Sequence, residues 1–437
     1  MLTDLARARA FITVSGNSGV GKTSLVDALV SGPLSILKRP ISVTTRARRP
    51  FEANDEYKFV TKEQFDSLDE SGALINRDHV HGNLYGITRA SVAELHASGV
   101  IPIKEVHSAN LHKLRRAGFL VLSAKILTAP HDEEAASYHE RDIRGRVNTP
   151  DDISTSGNDG YALVLNRSDG NPDRLAQTVR SWLAATDYLH GAAPKLLRAA
   201  CNPEIDNQTG YDEIASDFDD SKRVTTSFFH KITLPFWSKV FGTKVHSDGR
   251  YLEIGPGSGW LKNTAWPHGV KYRGLEISEQ MRVKAISSEN ISLGVANCLC
   301  EPTSSLDGVF GSLADPYLLP NFMIECRRAL KDEGLFAGTS PAREWAERFR
   351  DANRIAETEF ISTIGNKCRV ASFCYTSEQI ETLLKIAGFA HIEMRTICVD
   401  RSELSSTPPA IAAAFAKDSR LSRLPVMHQW IALISKE

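Results

Sequence analysis

Residues Gly16-Asn17-Ser18-Gly19-Val20-Gly21-Lys22-Thr23 spell G-x-x-x-x-G-K-T. Glycines at this spacing let backbone N–H groups converge on phosphate oxygens, and a helix starting behind them points its positive end at the same place. Lys22 can reach the outer phosphates of a nucleoside triphosphate, and the Thr23 hydroxyl can ligate Mg²⁺. Gly16, Asn17, Ser18, Gly19, Val20, Gly21, Thr23 and Ser24 would form the cradle. A second cluster follows: Arg46 and Arg49, three residues apart, stand behind the hydroxyl-rich run Ser42-Val43-Thr44-Thr45. Guanidinium forks bind phosphate oxygens in pairs, so the cluster suits a phosphate clamp; taken alone, it could equally be a basic surface turn. A third cluster lies far along the chain, where Gly255, Gly257 and Gly259 alternate and the acidic Glu276 comes later. A carboxylate at the tip of a strand beside such a turn accepts hydrogen bonds from both ribose hydroxyls of a nucleotide-type ligand.

These residues need particular elements to position them. The apolar run Phe11–Val14 reads as a buried strand feeding the first glycine loop, and Ser24–Val30 carries helical spacing before the stop at Gly32-Pro33. Arg250–Ile254 reads as a strand ending in the second glycine loop, and Tyr272–Ile277 as its neighbour ending in Glu276. An aromatic-rich helix is predicted over Ser227–Phe241.

Composition bounds the whole. At 437 residues the chain is expected to hold two to three domains. A hydrophobic fraction of 42%, a charged fraction of 24% and a net charge of −1 describe a soluble protein and disfavour a nucleic-acid or membrane-surface partner. No apolar run is long enough to span a membrane or to form a signal-peptide core, so a cytoplasmic location is expected. The seven cysteines all follow residue 200 and form no C-x-x-C pair, which points to reduced thiols rather than zinc or disulfides.

The first half carries, in order, the phosphate loop, S-x-T-T-R-x-x-R-x-x-E from Ser42 to Glu52, Y-x-F-V from Tyr57, G-N-x-Y-G from Gly82, and V-x-N ending at Asn166. This order and spacing resemble guanylate kinase over residues 8 to 188, a P-loop fold. The resemblance implies ATP with Mg²⁺ as phosphoryl donor, and a nucleoside monophosphate held by Ser42, Arg46, Arg49, Tyr57 and Tyr85. Glu52 matches a further family position, and Asn166 falls on the donor side. Lys22 and the lid arginines Arg141, Arg144 and Arg146 would neutralise charge on the transferred group. Thr23 and Glu105 would organise the metal. The lid, Pro130 to about Ser156, is altered and lacks the arginine expected near Ser156.

Other departures fall on the base reader. Asn76 stands where the family has a glutamate, Ile87 where it has a hydroxyl, and Glu105 and His107 where two aspartates are usual. Guanine offers N–H donors that want a carboxylate, and an unmatched buried polar group costs about 1–3 kcal/mol. The expected acceptor is therefore a phosphate monoester other than GMP. His107 is either a base reader or a packed core histidine. Guanylate-kinase-like interaction modules characteristically lose the phosphate loop, whereas Lys22 and Thr23 are present here.

The predicted domains are residues 1–190, a linker over 191–208, and 209–437. In the last, L-E-I-G-P-G-S-G followed by G-L-E-I-S-E-Q-M resembles class I S-adenosylmethionine-dependent methyltransferases. Leu306–Phe310, the E-x-x-R-x-L-K-x-x-G run from Glu325, Leu335–Thr339, the helix ending at Gly388-Phe389 and the strand Trp430–Ser435 extend the resemblance to the C-terminus. A third glycine in the nicotinamide pattern is missing, since position 260 is Trp. The resemblance implies a Rossmann-like sheet binding S-adenosylmethionine. Glu253, Gly255 and Gly257 would line the methionine and ribose, Glu276 would hold the ribose hydroxyls, and Ile277 and Met281 would pack near adenine. Asn297 would accept from the adenine amino group. His230, Tyr317, Tyr211 and Phe218 are candidates for the acceptor pocket or for packing, and Asp315-Pro316-Tyr317 reads as an ordinary loop. Methyl transfer needs alignment more than a general base. The function expected is a bifunctional α/β transferase that phosphorylates a small phosphate monoester and methylates a small molecule. The alternative is one methyltransferase regulated by a nucleotide-sensing or protein-binding module.

Overall fold

The computed structural model describes residues 2–17, 19–31, 36–49, 56–80, 82–127, 161–166, 171–201, 206–218, 223–285, 287–299, 301–361 and 367–435. The chain divides into two compact units, Met1–Cys201 and Asn202–Glu437. Each is an α/β domain built on a mainly parallel sheet.

The first unit contains strands β1 (Ala10–Gly16), β2 (Leu37–Lys38), β3 (Ser42–Thr44), β4 (Tyr57–Phe59), β5 (Asp78–Val80), β6 (Asn83–Ile87), β7 (Ile101–Glu105), β8 (Leu120–Leu127) and β9 (Leu163–Asn166). A parallel sheet runs β2-β7-β1-β8-β9, and a smaller sheet runs β4-β3-β6-β5. β1 is buried along almost its whole length, which is why its sequence is a continuous apolar run rather than an alternating one. Helix Lys22–Val30 leaves the end of β1 and packs on β7. Phe11, Ile75, Ile87, Val92, Val106, Phe119 and Val121 share a core that ties the small sheet to the large one.

The expected linker is only partly one. Helix Pro172–Ala192 runs past residue 190, and a further helix, Pro194–Cys201, packs on it and on β8. Leu196, Leu197, Ala200 and Cys201 are buried along one stripe. The stripe is too short to stand out in sequence beside Pro194, Lys195 and Arg198.

The second unit contains β10 (Tyr251–Ile254), β11 (Gly274–Glu276), β12 (Ile291–Leu293), β13 (Leu306–Gly311), β14 (Leu330–Pro341), β15 (Glu357–Ile361), β16 (Lys367–Ala371), β17 (His391–Asp400) and β18 (Arg423–Leu433). Seven of these form one Rossmann-like sheet, order β12-β11-β10-β13-β14-β18-β17, with β18 antiparallel to both neighbours. Trp237, Phe241, Tyr251, Trp266 and Phe310 pack the core beneath the β10 end. The aromatic helix spans Val224–Lys244 and tolerates Pro235 inside it. β15 and β16 form a separate hairpin inserted after β14.

Candidate functional sites

The phosphate loop of the first unit is shaped by glycine. Gly16, Gly19 and Gly21 all have positive φ, and a Cβ on Gly16 would lie 2.5 Å from the Ile126 carbonyl oxygen. Helix Lys22–Val30 begins at Gly21 with no side-chain cap, so its first N–H groups face the loop. The Lys22 ammonium donates to the carbonyls of Gly16 at 2.7 Å and Asn17 at 2.6 Å. Val20 is buried, and Thr23 and Ser24 are exposed at the start of the helix. Asn166 ends β9 opposite Leu127. Ser18, Glu52, Arg141, Arg144 and Arg146 lie outside the described residues.

Beside the loop, a cavity of about 480 Å³ is lined by Ser42, Tyr57, Asn76, Asp78, Tyr85, Ile87, Lys104, Glu105 and His107, among others. β3 sets Ser42 opposite Tyr57 on one side and Ile87 on the other. Tyr57 and Tyr85 meet edge to face at 6.4 Å, and the Arg46 guanidinium lies over Tyr57 at 5.6 Å. Burial, with Glu105 nearby, pushes the Tyr57 hydroxyl up to about 12, so it stays a donor at any ordinary pH. Arg49 is exposed and does not line the cavity.

The wall that carries Asn76 differs from expectation. Asn76 lines the cavity, but its amide is engaged: Oδ1 accepts from the Ile87 N–H at 2.9 Å and Nδ2 donates to Asp78 at 2.8 Å. The carboxylate on this wall comes from Asp78, two residues further on, held by Lys113 at 3.2 Å. His107 is exposed and lines the cavity, which excludes the packed-core reading.

Sequence reasoning missed three residues here: Asp78, Arg39 and Lys104. Arg39, its side chain 8% exposed, ion-pairs with Asp27 at 2.8 Å, Glu56 at 3.3 Å and Glu105 at 3.1 Å. Nothing in its local pattern marked it. Lys104 was visible as one lysine inside the apolar run Ile101–Val106. A magnesium ion takes few protein oxygens when phosphates supply the rest, and the exposed Thr23 hydroxyl with the Glu105 carboxylate fits that demand. Among the described residues no cluster of three or more His, Cys, Asp or Glu side chains could hold a metal by itself.

In the second unit a cavity of about 400 Å³ opens at the carboxyl ends of β10 and β11. Gly255 and Gly257 have positive φ, and a Cβ on Gly255 would lie 2.8 Å from the Tyr317 ring. The Glu276 carboxylate, 4% exposed, accepts from the N–H groups of Gly257 (3.0 Å), Ile277 (3.0 Å) and Ser278 (3.1 Å). Burial nevertheless raises its pKa. Glu253 is more deeply buried, accepts from the Tyr272 hydroxyl at 2.8 Å, and is pushed by desolvation up to about 8. Met281 and Ile277 line the cavity. Gly294 and Ala296 line the cavity on the side of β12, and Asn297 is not among the lining residues.

The other walls are aromatic. His230 stacks on Trp260 at 4.1 Å, and Tyr211, Phe218 and Phe360 meet pairwise at 6.4 to 6.5 Å with Arg223 over Phe360 at 4.4 Å. Asp315, Pro316 and Tyr317, read as an ordinary loop, line the cavity. Tyr317 donates to the Ile254 carbonyl at 2.5 Å. Asn207 ties this segment to the hairpin, donating to Pro316 at 3.4 Å and accepting from Ala371 at 2.7 Å. The hairpin's contribution, Thr358 to Phe360, had no counterpart in the sequence reading.

The Guanylate kinase family model matches residues 8–145. Guanylate kinase of Saccharophagus degradans is 38% identical over 105 residues, covering 24% of this chain and 51% of the relative. That of Shewanella sp. is 31% identical over 152 residues, covering 35% and 70%. The chain spans about half the length of the first curated relatives it matches. Among solved structures, a guanylate kinase from Anaplasma phagocytophilum is 22% identical, covers 41% of this chain and 87% of its own, and superposes with a TM-score of 0.32. A SAM-dependent methyltransferase from Thermotoga maritima, described as a possible histamine N-methyltransferase, is 16% identical, covers 52% and 98%, and superposes with a TM-score of 0.35.

Proposed function

The chain belongs to the guanylate kinase family through its N-terminal domain, and from this premise we propose a bifunctional transferase. Its first domain would move the γ-phosphoryl group of ATP to a small phosphate monoester other than GMP. Its second would methylate a small molecule from S-adenosylmethionine. One observation carries the kinase reading. Ser42, Tyr57 and Tyr85 line the acceptor cavity with the Arg46 guanidinium over the Tyr57 ring, while Asn76 in the same cavity spends its amide on Ile87 and Asp78.

In the reaction an acceptor phosphate oxygen attacks the γ-phosphorus and the bond to the bridging oxygen breaks, releasing ADP. Lys22 and the glycine-loop N–H groups stabilise charge on the donor phosphates, and Arg46 and Tyr57 orient the acceptor. Thr23 and Glu105 would hold the magnesium ion, which spreads the charge of the transferred group. Turnover of a panel of GMP, AMP, CMP, UMP and dTMP in a coupled ADP-release assay tests the acceptor. Exclusive turnover of GMP would contradict this reading.

The methyltransferase reading is supported by Glu276 beside the glycine turn, a carboxylate positioned for ribose hydroxyls, and by an aromatic cavity adjoining it. S-adenosylmethionine supplies an electrophilic methyl group when bound. Gly255 and Gly257 let the backbone approach it closely, Glu276 orients it, and the His230–Trp260 wall excludes water. Asp315 and Tyr317 border the same space. Calorimetric titration with S-adenosylmethionine tests this half.

A second reading makes the first domain a regulatory module, and Arg39 favours it. The ion pair Arg39–Glu105 engages the carboxylate that the metal would need. Lys22→Ala separates the two: methylation indifferent to it, with no phosphotransfer ever seen, selects the module.

A further inference from the structure

We propose that Lys104, paired with Ser42, is a phosphate-binding residue at the buried end of the acceptor cavity. It adds a fixed cation to the arginine clamp. Lys104 occupies none of the positions to which the family resemblance gives a role. It sits in β7, in register with Thr13 of β1, so its backbone is locked inside the parallel sheet. The residue is 5% exposed, yet its ammonium has no hydrogen-bond partner among the described residues. The ammonium rests over the Tyr57 ring, 4.3 Å from the centroid, and lines the cavity.

Ser42 is in the same condition. It is 2% exposed, its hydroxyl is unpartnered among the described residues, and it lines the same cavity. β3 sets it in register with Tyr57, the residue whose ring carries the lysine. An ammonium and a hydroxyl, both buried and both without a hydrogen-bond partner among the described residues, leave two donors on the cavity wall to be matched.

The surroundings do not supply that acceptor. Glu105 and Glu56, the acids nearest Lys104, are both ion-paired to Arg39. The Tyr57 face attracts the cation without accepting a hydrogen bond in the plane of a lone pair. Burial lowers the pKa of the ammonium, with Arg39 adding repulsion. A phosphate dianion at this end of the cavity satisfies both orphaned donors at once and reverses the desolvation penalty. The inference deepens the kinase reading and rests on it for the identity of the ligand as an acceptor, but anion binding is measurable without turnover.

The test is titration of the full chain with inorganic phosphate, followed by calorimetry. The Lys22→Ala background keeps the donor loop from contributing. Lys104→Met is expected to weaken phosphate binding by about tenfold or more, the loss of one charge-assisted hydrogen bond. It should also raise the melting temperature without phosphate, since it removes an unpaired buried charge. Ser42→Ala should weaken phosphate binding less and leave circular dichroism unchanged. Phosphate affinity unaltered by Lys104→Met, together with a lower melting temperature, would make Lys104 a packing and cation–π residue and overturn the proposal. Absence of phosphate binding to the Lys22→Ala protein would overturn it as well. Phosphate binding that depends on Lys104 in a protein that never transfers phosphoryl would sustain the site while removing the kinase reading.

Discussion

At the scale of single residues, buried carboxyl groups govern the second domain. Glu253 is pushed to about 8 from 4.5 chiefly by desolvation, so between these values the folded chain keeps a proton that the unfolded chain has released. Its contribution to stability is full below the unfolded pKa and is lost as pH rises through the folded one. Glu253→Gln should flatten that decline, which is at most about 1.4 kcal/mol per pH unit. Urea unfolding from mildly acidic to mildly alkaline pH measures it. Glu276 has a different task. Its three backbone N–H partners hold it in place, so Glu276→Ala should keep the fold and weaken S-adenosylmethionine binding about tenfold or more, as read by calorimetry. In the first domain, Lys22→Ala should lower phosphoryl transfer at least about a hundredfold, with unchanged circular dichroism.

At the scale of elements, the two glycine turns and their strands were legible because buried parallel strands are short apolar runs and positive φ demands glycine. That Ser42, Tyr57 and Tyr85 share one cavity was legible for a related reason: a phosphate clamp would fix both residue type and spacing. Other features depend on tertiary partners that no local pattern encodes. Arg39 looks like any surface arginine until the structure brings Asp27, Glu56 and Glu105 around it. Asp78 reaches the cavity two residues beyond Asn76 through the pairing of β5 with β6, but its two oxygens are taken by Asn76 and Lys113. The placing of Asn297 rests on little, because β12 before it is only three residues long. Close packing between elements also sets limits on substitution. A Cβ on Gly338 of β14 would lie 2.2 Å from the Trp430 ring of β18. Gly338→Ala should therefore cost about 1–3 kcal/mol by overpacking, measured as a lower urea midpoint.

At the scale of the whole molecule, two units with separate cores carry two separate cavities. No helix among the described residues is long and apolar enough to cross a membrane. The end of the first unit at Cys201 has a consequence. A chain ending there should fold more stably than one ending at residue 190, which lacks the buried Leu196 and Leu197. Thermal melts of the two fragments would show it. Covalent joining of the two proposed transferase domains motivates the proposal that both work on successive forms of one metabolite. The most direct measurement is mass spectrometry of products after the full chain meets ATP, S-adenosylmethionine and a metabolite extract, beside its Lys22→Ala variant. The expected result is a species other than a GMP derivative that gains a phosphoryl group only with Lys22 present, and a methylated species formed alongside it. Methylation of equal extent in both proteins, with no Lys22-dependent phosphorylated species, would contradict it.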